Sequence, residues 1–261
     1  MNPLSFKSRM KSGEKAFGPI LTLPSWQVAQ LAASVEGVNF LWIDGEHGMM
    51  TPEVVGAMIN ASKSDAAPLV RVPDSQTWMI KQALDMGARG LIVPMVDTPE
   101  EAESIAQSML YPPDGIRGYG PDYAARSWGL SCAEYAPTAN EEVLYVAQIE
   151  STLGLENAEA IASVSRVDLL FAGAYDLSII RGRTGQVTHP DVEDAILSVK
   201  EAAHKHGKLA GTIALTPEVG QRRLDQGFDF LVTATDQVLL EQSFDRYFAG
   251  IKMPVPELSV K

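Results

Sequence analysis

Short apolar runs rich in β-branched residues alternate along the chain with longer amphipathic segments, a rhythm that predicts repeated βα units around a parallel sheet. The pattern predicts eight strands, over residues 18–23, 40–44, 68–72, 90–96, 144–150, 168–173, 209–214 and 228–233. Apolar positions at helical spacing predict helices over 25–33, 52–62, 76–86, 99–109, 155–164, 190–206, 217–226 and 236–248. Several helices open on a polar cap followed by proline, as in Thr51-Pro52, Thr98-Pro99, His189-Pro190 and Thr216-Pro217, where proline's missing donor costs nothing. Others stop at glycine, at Gly87, Gly207 and Gly227.

Eight strand-helix pairs in 261 residues predict a (β/α)8 barrel folded as a single domain over residues 1–261. The last helix, with Phe244, Tyr247 and Phe248, either closes its own barrel or packs on a neighbouring copy. Two connections are out of scale. Residues 111–142 and 176–189 are long for loops, and lengths of that kind belong to lids, binding loops or contact segments.

Composition is that of an ordinary globular protein, 46% hydrophobic and 21% charged. Lys and Arg total 21 against 33 Asp and Glu, a formal net charge of −12, which repels nucleic acid and anionic membrane surfaces. A small anionic substrate would need a metal or an arginine to receive it. The single cysteine, Cys132, excludes an intrachain disulfide and a cysteine-based zinc site. Residues 1–20 carry no apolar run of signal-peptide kind, and no stretch approaches the roughly 18 apolar residues of a membrane span. The expected location is cytoplasmic.

In such barrels the reacting groups lie at the C-terminal strand ends, where the βα turns converge. Those ends read Asp44-Gly45-Glu46-His47, Val70-Arg71-Val72, Gln148-Ile149-Glu150 and Gly173-Ala174-Tyr175-Asp176. Gln148 and Glu150, two apart on a strand, share one face. With Asp176 from the next strand end they make a set of hard oxygen donors suited to Mg2+ or Mn2+. Taken singly, Glu150 and Asp176 could equally be structural. A lone histidine is usually structural too, but Asp44 lies three residues before His47, close enough to hold one ring nitrogen and leave the other as a base. Arg71 in an apolar mouth needs an anion, and Asp44 or Glu46 could serve. His189, His204 and His206 are expected to be solvated.

Other chemistries lack support. Gly115-Ile-Arg-Gly118-Tyr-Gly120 follows two prolines rather than a strand, so it makes a poor phosphate cradle. No nucleophile elbow or Walker pattern occurs. No lysine ends a strand as an imine-forming aldolase would want, and Lys208 precedes the seventh strand, at the wrong end.

Together the residues resemble the HpcH/HpaI class of metal-dependent pyruvate aldolases, which includes 4-hydroxy-2-oxoheptanedioate aldolase. The resemblance rests on Trp42-Ile-Asp-Gly-Glu-His47, Pro68-Leu-Val-Arg71-Val-Pro73, Leu84-Asp85-Met-Gly87, Val93-Pro-Met95, Tyr111-Pro-Pro-Asp-Gly-Ile-Arg-Gly118, Gln148-Ile-Glu150 and Asp176-Leu-Ser178. It implies that His47 is the base, supported by Asp44 and Asp85, that Arg71 steadies an enolate oxygen, and that Glu150 and Asp176 hold Mg2+, Mn2+ or Co2+ with Gln148 nearby. It also implies that backbone groups of Gly173, Ala174 and Tyr175 receive the pyruvate carboxylate, and that the chain assembles as a homo-oligomer, a hexamer in relatives. The partners would be a 2-oxo acid and an aldehyde. The chain departs from the family's usual Gly-Pro-Ala-Asp-Leu-Ser at Tyr175, where a small residue is expected, and this bears on the second substrate. Two alternatives stand beside the aldolase: an enzyme that makes its enolate by decarboxylating oxaloacetate, similar to macrophomate synthase, and a non-catalytic metabolite-binding barrel.

Overall fold

The computed structural model describes residues 5–62 and 66–251; the ends of the predicted 1–261 domain and residues 63–65 lie outside them. Eight strands, β1 (Ala16–Leu21), β2 (Phe40–Asp44), β3 (Ala67–Arg71), β4 (Gly90–Val93), β5 (Leu144–Ile149), β6 (Leu169–Ala172), β7 (Leu209–Ile213) and β8 (Phe230–Thr235), pair in parallel in sequence order, and β8 closes on β1. The helices are α1 (Phe6–Lys11), α2 (Trp26–Ala33), α3 (Pro52–Ala61), α4 (Thr77–Asp85), α5 (Pro99–Met109), α6 (Asp122–Trp128) and α7 (Cys132–Glu142). They continue with α8 (Thr152–Glu156), α9 (Ala158–Ser163), α10 (Ala174–Ile180), α11 (Pro190–Lys205), α12 (Pro217–Asp225) and α13 (Asp236–Ala249). The eight-stranded (β/α)8 barrel is therefore as predicted.

The helix punctuation works as the sequence suggests. Thr51, Thr98 and Thr216 each accept a first-turn amide through the side chain and are each followed by Pro. Gly87, Gly207 and Gly227 follow helix ends with φ of 99°, 66° and 92°, the left-handed stop that a side chain would resist. Strand ends shift for identifiable reasons. β4 stops at Val93 rather than 96 because Pro94 has no amide to donate and Met95 turns left-handed, with φ of 52°. β1 stops at Leu21 because the Thr22 and Leu23 amides go to the Asp236 carboxylate.

Inside the barrel, aromatic rings form a column. Phe40 stacks on Phe230 at 4.0 Å between centroids, Phe230 meets Phe171 edge-on at 6.3 Å, and Phe171 meets Trp42 at 4.9 Å. The space for them comes from glycine: a Cβ at Gly18 would sit 2.1 Å from the Phe40 carbonyl oxygen, and one at Gly211 would sit 2.9 Å from the Phe171 ring.

At the foot of the barrel, a polar residue just before a strand repeatedly takes an amide from the strand before it. Asn39 accepts from Phe17 N at 2.9 Å, Asp168 from Tyr145 N at 3.0 Å, and Asp229 from Ala210 N at 3.0 Å. Lys7 and Lys11 of α1 neutralise Asp168 at 2.8 and 3.1 Å, tying that helix beneath the barrel. Lys15 and His204 bind Asp229 at 2.6 and 3.0 Å. Of the three histidines expected to be solvated, His204 has a side chain 39% exposed and also holds Asp229, and His189 Nδ1 caps α11 by accepting from Asp191 N. His206 is the correction, its Nε2 buried 3.6 Å from Glu159 Oε1.

Neither long connection is a bare loop. Residues 111–142 contain α6 and α7, with Tyr135 wholly buried against Trp128 and Tyr111. Asn140 exchanges two hydrogen bonds with the Tyr111 backbone. Residues 176–189 begin within α10, whose Ser178 hydroxyl accepts from Gly185 N.

Burial alone would push Asp229 up, but Lys15, the Ala210 amide and His204 outweigh it and hold the carboxyl below its usual 3.8. A depressed folded-state pKa stabilises the fold above the unfolded value and is lost as pH falls through the folded one. Asp229→Asn should therefore destabilise the fold at pH 7 by on the order of 1 kcal/mol after solvent screening, seen as a lower melting temperature. The gap to wild type should narrow as pH drops below 3.8. A gap independent of pH down to acid unfolding would show that the charge does not matter.

Candidate active site

Alternation along β2 puts Asp44 on the same inward face as Phe40 and Trp42, at the top of the aromatic column. Register places Asp44 beside Arg71 of β3. The guanidinium binds Asp44 in a fork, Nε to Oδ1 at 2.9 Å and Nη2 to Oδ2 at 2.7 Å, while Nη1 lies 3.0 Å from Glu46 Oε2. Its carbon sits 5.4 Å from the Trp42 ring centroid. Burial works against the charge on Arg71, but Asp44, Glu46 and Glu150 prevail and hold it on.

Asp44 does not hold a ring nitrogen of His47, which corrects the sequence expectation. Its Oδ1 also accepts the backbone amides of Glu46 and His47, at 3.1 and 3.2 Å, so the carboxylate is used up by Arg71 and by the turn. The His47 ring projects outward, its side chain 70% exposed, with Nε2 3.7 Å from Glu46 Oε2. Glu46 is therefore the carboxylate that faces both Arg71 and His47. Its place inside Asp-Gly-Glu-His was the available signal. The turn is tight: a Cβ at Gly45 would lie 2.6 Å from the Arg71 carbonyl oxygen, and one at Gly48 would lie 2.3 Å from that of Asp44.

Across the mouth, Glu150 follows β5 and is buried. Met95 N donates to its Oε1 at 3.0 Å, and Gln148 Nε2 donates to its Oε2. The Gln148 Oε1 oxygen is buried without a partner among the described residues. Gly173 makes this possible, since a Cβ there would fall 2.6 Å from Glu150 Oε2. Among the described residues no cation is in contact with Glu150. Burial pushes its carboxyl up to about 7, the negative charges of Asp176 and Glu46 push the same way, and the Met95 and Gln148 donors resist. Burial also raises Glu46, with Asp44 and Asp176 adding to it against Arg71 and His47. Asp176 stands exposed in the first turn of α10. Gly173 is the cap of that helix and no side chain caps it. Ala174 is buried and the Tyr175 ring is half-exposed.

Eight of the ten predicted residues thus gather at one end of the barrel, at the C-terminal ends of β2, β3 and β5 and in the turns after β5 and β6, with His47 as a ninth at the rim. Asp85 is not brought to His47. It ends α4, which runs back from the mouth, and binds Arg117 Nη2 at 2.7 Å. It lines a surface cavity of about 750 Å3 between α3, α4 and α6, with Trp78, Lys81 and Tyr123.

Four carboxylates (Asp44, Glu46, Glu150 and Asp176) therefore act on one another around a single guanidinium. Two carboxylates and a free amide oxygen fit a hard cation that leaves positions for ligand. Among the described residues no group of three or more His, Cys, Asp or Glu is placed to hold a metal ion by itself.

Residues 26–242 match the HpcH/HpaI aldolase/citrate lyase family. The chain belongs to that family. This aldolase is 38% identical to a 4-hydroxy-2-oxovalerate aldolase of Rhodococcus jostii (strain RHA1), over 90% of this chain and 91% of that one. It is 36% identical to a hydroxypyruvate/pyruvate aldolase of Roseobacter denitrificans (strain ATCC 33942 / OCh 114), over 90% and 92%. A crystal structure of macrophomate synthase superposes with a TM-score of 0.81 at 28% identity, covering 94% of this chain and 88% of that one. The protein is a lyase, and the non-catalytic reading is set aside.

Because Glu150 holds its proton more tightly folded than unfolded, the metal-free fold weakens as pH rises from 4.5 toward about 7, and the penalty is complete above that. Glu150→Gln should stabilise the metal-free aldolase at pH 8 by at most about 3 kcal/mol and leave it nearly unchanged at pH 4.5. Thermal melts at the two pH values check this. Equal shifts at both would remove the electrostatic cause.

Proposed function

We propose that this aldolase reversibly cleaves a 4-hydroxy-2-oxo acid to pyruvate and an aldehyde, with Mg2+, Mn2+ or Co2+ held by Glu150 and Asp176. The observation that carries this is the buried Glu150 carboxylate, pushed up to about 7 beside Asp176 with no cation in contact among the described residues. A divalent cation supplies Lewis acidity toward the keto and carboxylate oxygens of a 2-oxo acid.

The chain's own groups divide the remaining work. Arg71, fixed by Asp44 and Glu46, brings a positive charge to the oxygen on which enolate charge develops. His47 is the base: in cleavage it takes the proton of the C4 hydroxyl, and in condensation it takes a methyl proton of pyruvate. Glu46 faces the ring and orients it. Asp44 acts through Arg71 and through the turn rather than through the ring. Gly173, Ala174 and Tyr175 offer the uncapped start of α10 to the substrate carboxylate. The half-exposed Tyr175 ring borders the aldehyde half and narrows the choice of acceptor. Within one chain Asp85 belongs to Arg117, which leaves a role toward His47 without support.

Decarboxylation of oxaloacetate would use the same cation and the same Arg71, and the likeness to macrophomate synthase favours testing it. His47→Ala should lower kcat/KM for aldol cleavage by about 100-fold or more, and Arg71→Lys, which loses the fork, by a similar factor. Methyl-proton exchange of pyruvate in the presence of Mn2+ reads the enolate directly, and decarboxylation of oxaloacetate without that exchange would favour the second reading. Neither activity with any of the three metals would sink both.

We further infer a cytoplasmic homo-oligomer, a hexamer by resemblance, joined through α13. Only Asp236 of that helix is buried, so it does not close its own barrel, while Leu239, Phe244, Tyr247 and Phe248 are 42, 61, 72 and 53% exposed. Among the described residues no helix is long and apolar enough to cross a membrane. Light scattering should give a multiple of 28.2 kDa. A monomer at micromolar concentration would remove the inference.

A further inference from the structure

Met95 is the one non-glycine residue with positive φ among the described residues, at 52°. That conformation costs an L-residue roughly 1–2 kcal/mol and persists only where the surroundings impose it. The Met95 side chain is 48% exposed, so its own packing does not impose it. What does so is a set of contacts between the turn after β4 and the turn after β5. Val96 N donates to the Gln148 carbonyl at 3.2 Å. Asp97 is held on three sides: its amide donates to Glu101 Oε2 at 3.1 Å, its carbonyl accepts from Asn157 Nδ2 at 2.8 Å, and its carboxylate accepts from the Ser151 hydroxyl. The same hydroxyl accepts from Gly154 N at 2.8 Å. The turns touch so closely that a Cβ at Gly154 would sit 3.0 Å from the Val96 carbonyl oxygen.

Asp97 lies two residues after Met95, and Ser151 directly follows Glu150. Their contact therefore ties the donor of the Met95–Glu150 hydrogen bond to its acceptor. We infer that Asp97 and Ser151 are positioning residues that latch the β4 and β5 turns, holding Met95 left-handed with its N–H on Glu150 Oε1 and so fixing how that carboxylate meets a cation. The inference rests on the reading of Glu150 as a cation ligand. With the latch opened, Met95 relaxes to an ordinary conformation, its N–H leaves Oε1, and Glu150 loses its fixed orientation. Partners of this kind set metal affinity by roughly 10–100-fold.

Calorimetric titration of the full chain with Mn2+ tests the latch without reference to turnover. Ser151→Ala, which changes no charge, should weaken Mn2+ binding about tenfold, whereas Ser151→Thr, which keeps the hydroxyl, should bind as wild type does. Adding Met95→Gly to Ser151→Ala, so that the left-handed turn costs nothing, should restore most of the affinity. Gly154→Ala, which wedges the turns apart without removing a hydrogen-bonding group, should weaken binding in the same direction. Unchanged affinity in folded Ser151→Ala and Gly154→Ala, or a loss that Met95→Gly does not repair, overturns the latch while leaving the cation site intact. Wild-type protein that binds no Mn2+ overturns the cation reading, and the latch with it.

Discussion

Charge at the mouth of an apolar barrel must be compensated, and the way this chain does so on its two sides governs everything near the site. On one side Arg71 meets Asp44 in a fork and Glu46 at its third nitrogen, above the Trp42 ring. Removing one partner from a buried pair of this kind costs about 3–5 kcal/mol, because the other charge is left stranded. On the other side Glu150 has two neutral donors and, among the described residues, no cation in contact. The first side is compensated within the chain, whereas the second leaves a buried carboxylate without a counter-charge in contact among the described residues. Arg71 makes no direct contact with Glu150, since its three nitrogens face Asp44 and Glu46, and only its charge reaches that carboxylate through space.

The same asymmetry appears along the barrel axis. At the foot, the carboxylates of Asp168 and Asp229 each combine a backbone hydrogen bond with ion pairs. The mouth carries the buried acceptor without a partner at Gln148, the left-handed Met95 and the uncapped start of α10. Buried polar atoms without a partner among the described residues also occur away from the mouth, at Tyr145 Oη, His206 Nε2 and Arg223 Nε, so it is the conjunction of these three features at one end that marks the mouth.

Much of this was legible in the sequence because local rules and the fold agree. Thr-Pro starts and glycine stops mark helices in any context, and the β-branched runs between them leave few alternatives to a parallel barrel. The strand-end carboxylates followed from the position of the turns. What could not be read was which atom each one touches. Asp44 lies as close in sequence to His47 as a partner would, yet Arg71, 27 residues away, takes it, because a bidentate guanidinium outcompetes a ring at the rim. The helices α6 and α7 were hidden because their anchors, Tyr135 and Asn140, pair with Trp128 and Tyr111 in space rather than by period. The capping box of Ser131 and Glu134 was a local signal available for α7. Met95 gave no signal at all, since nothing in the residue type announces a left-handed turn.

The repeated foot contact, in which Asn39, Asp168 and Asp229 each take an amide from the strand before, has a bearing on how such a protein can change over time. Strand register is pinned at three places at the foot, far from the mouth, so exchanging a mouth residue such as Tyr175 leaves the alignment of the strands intact. New acceptor preferences can then be tried one turn at a time by a lineage whose scaffold is secured from the far end.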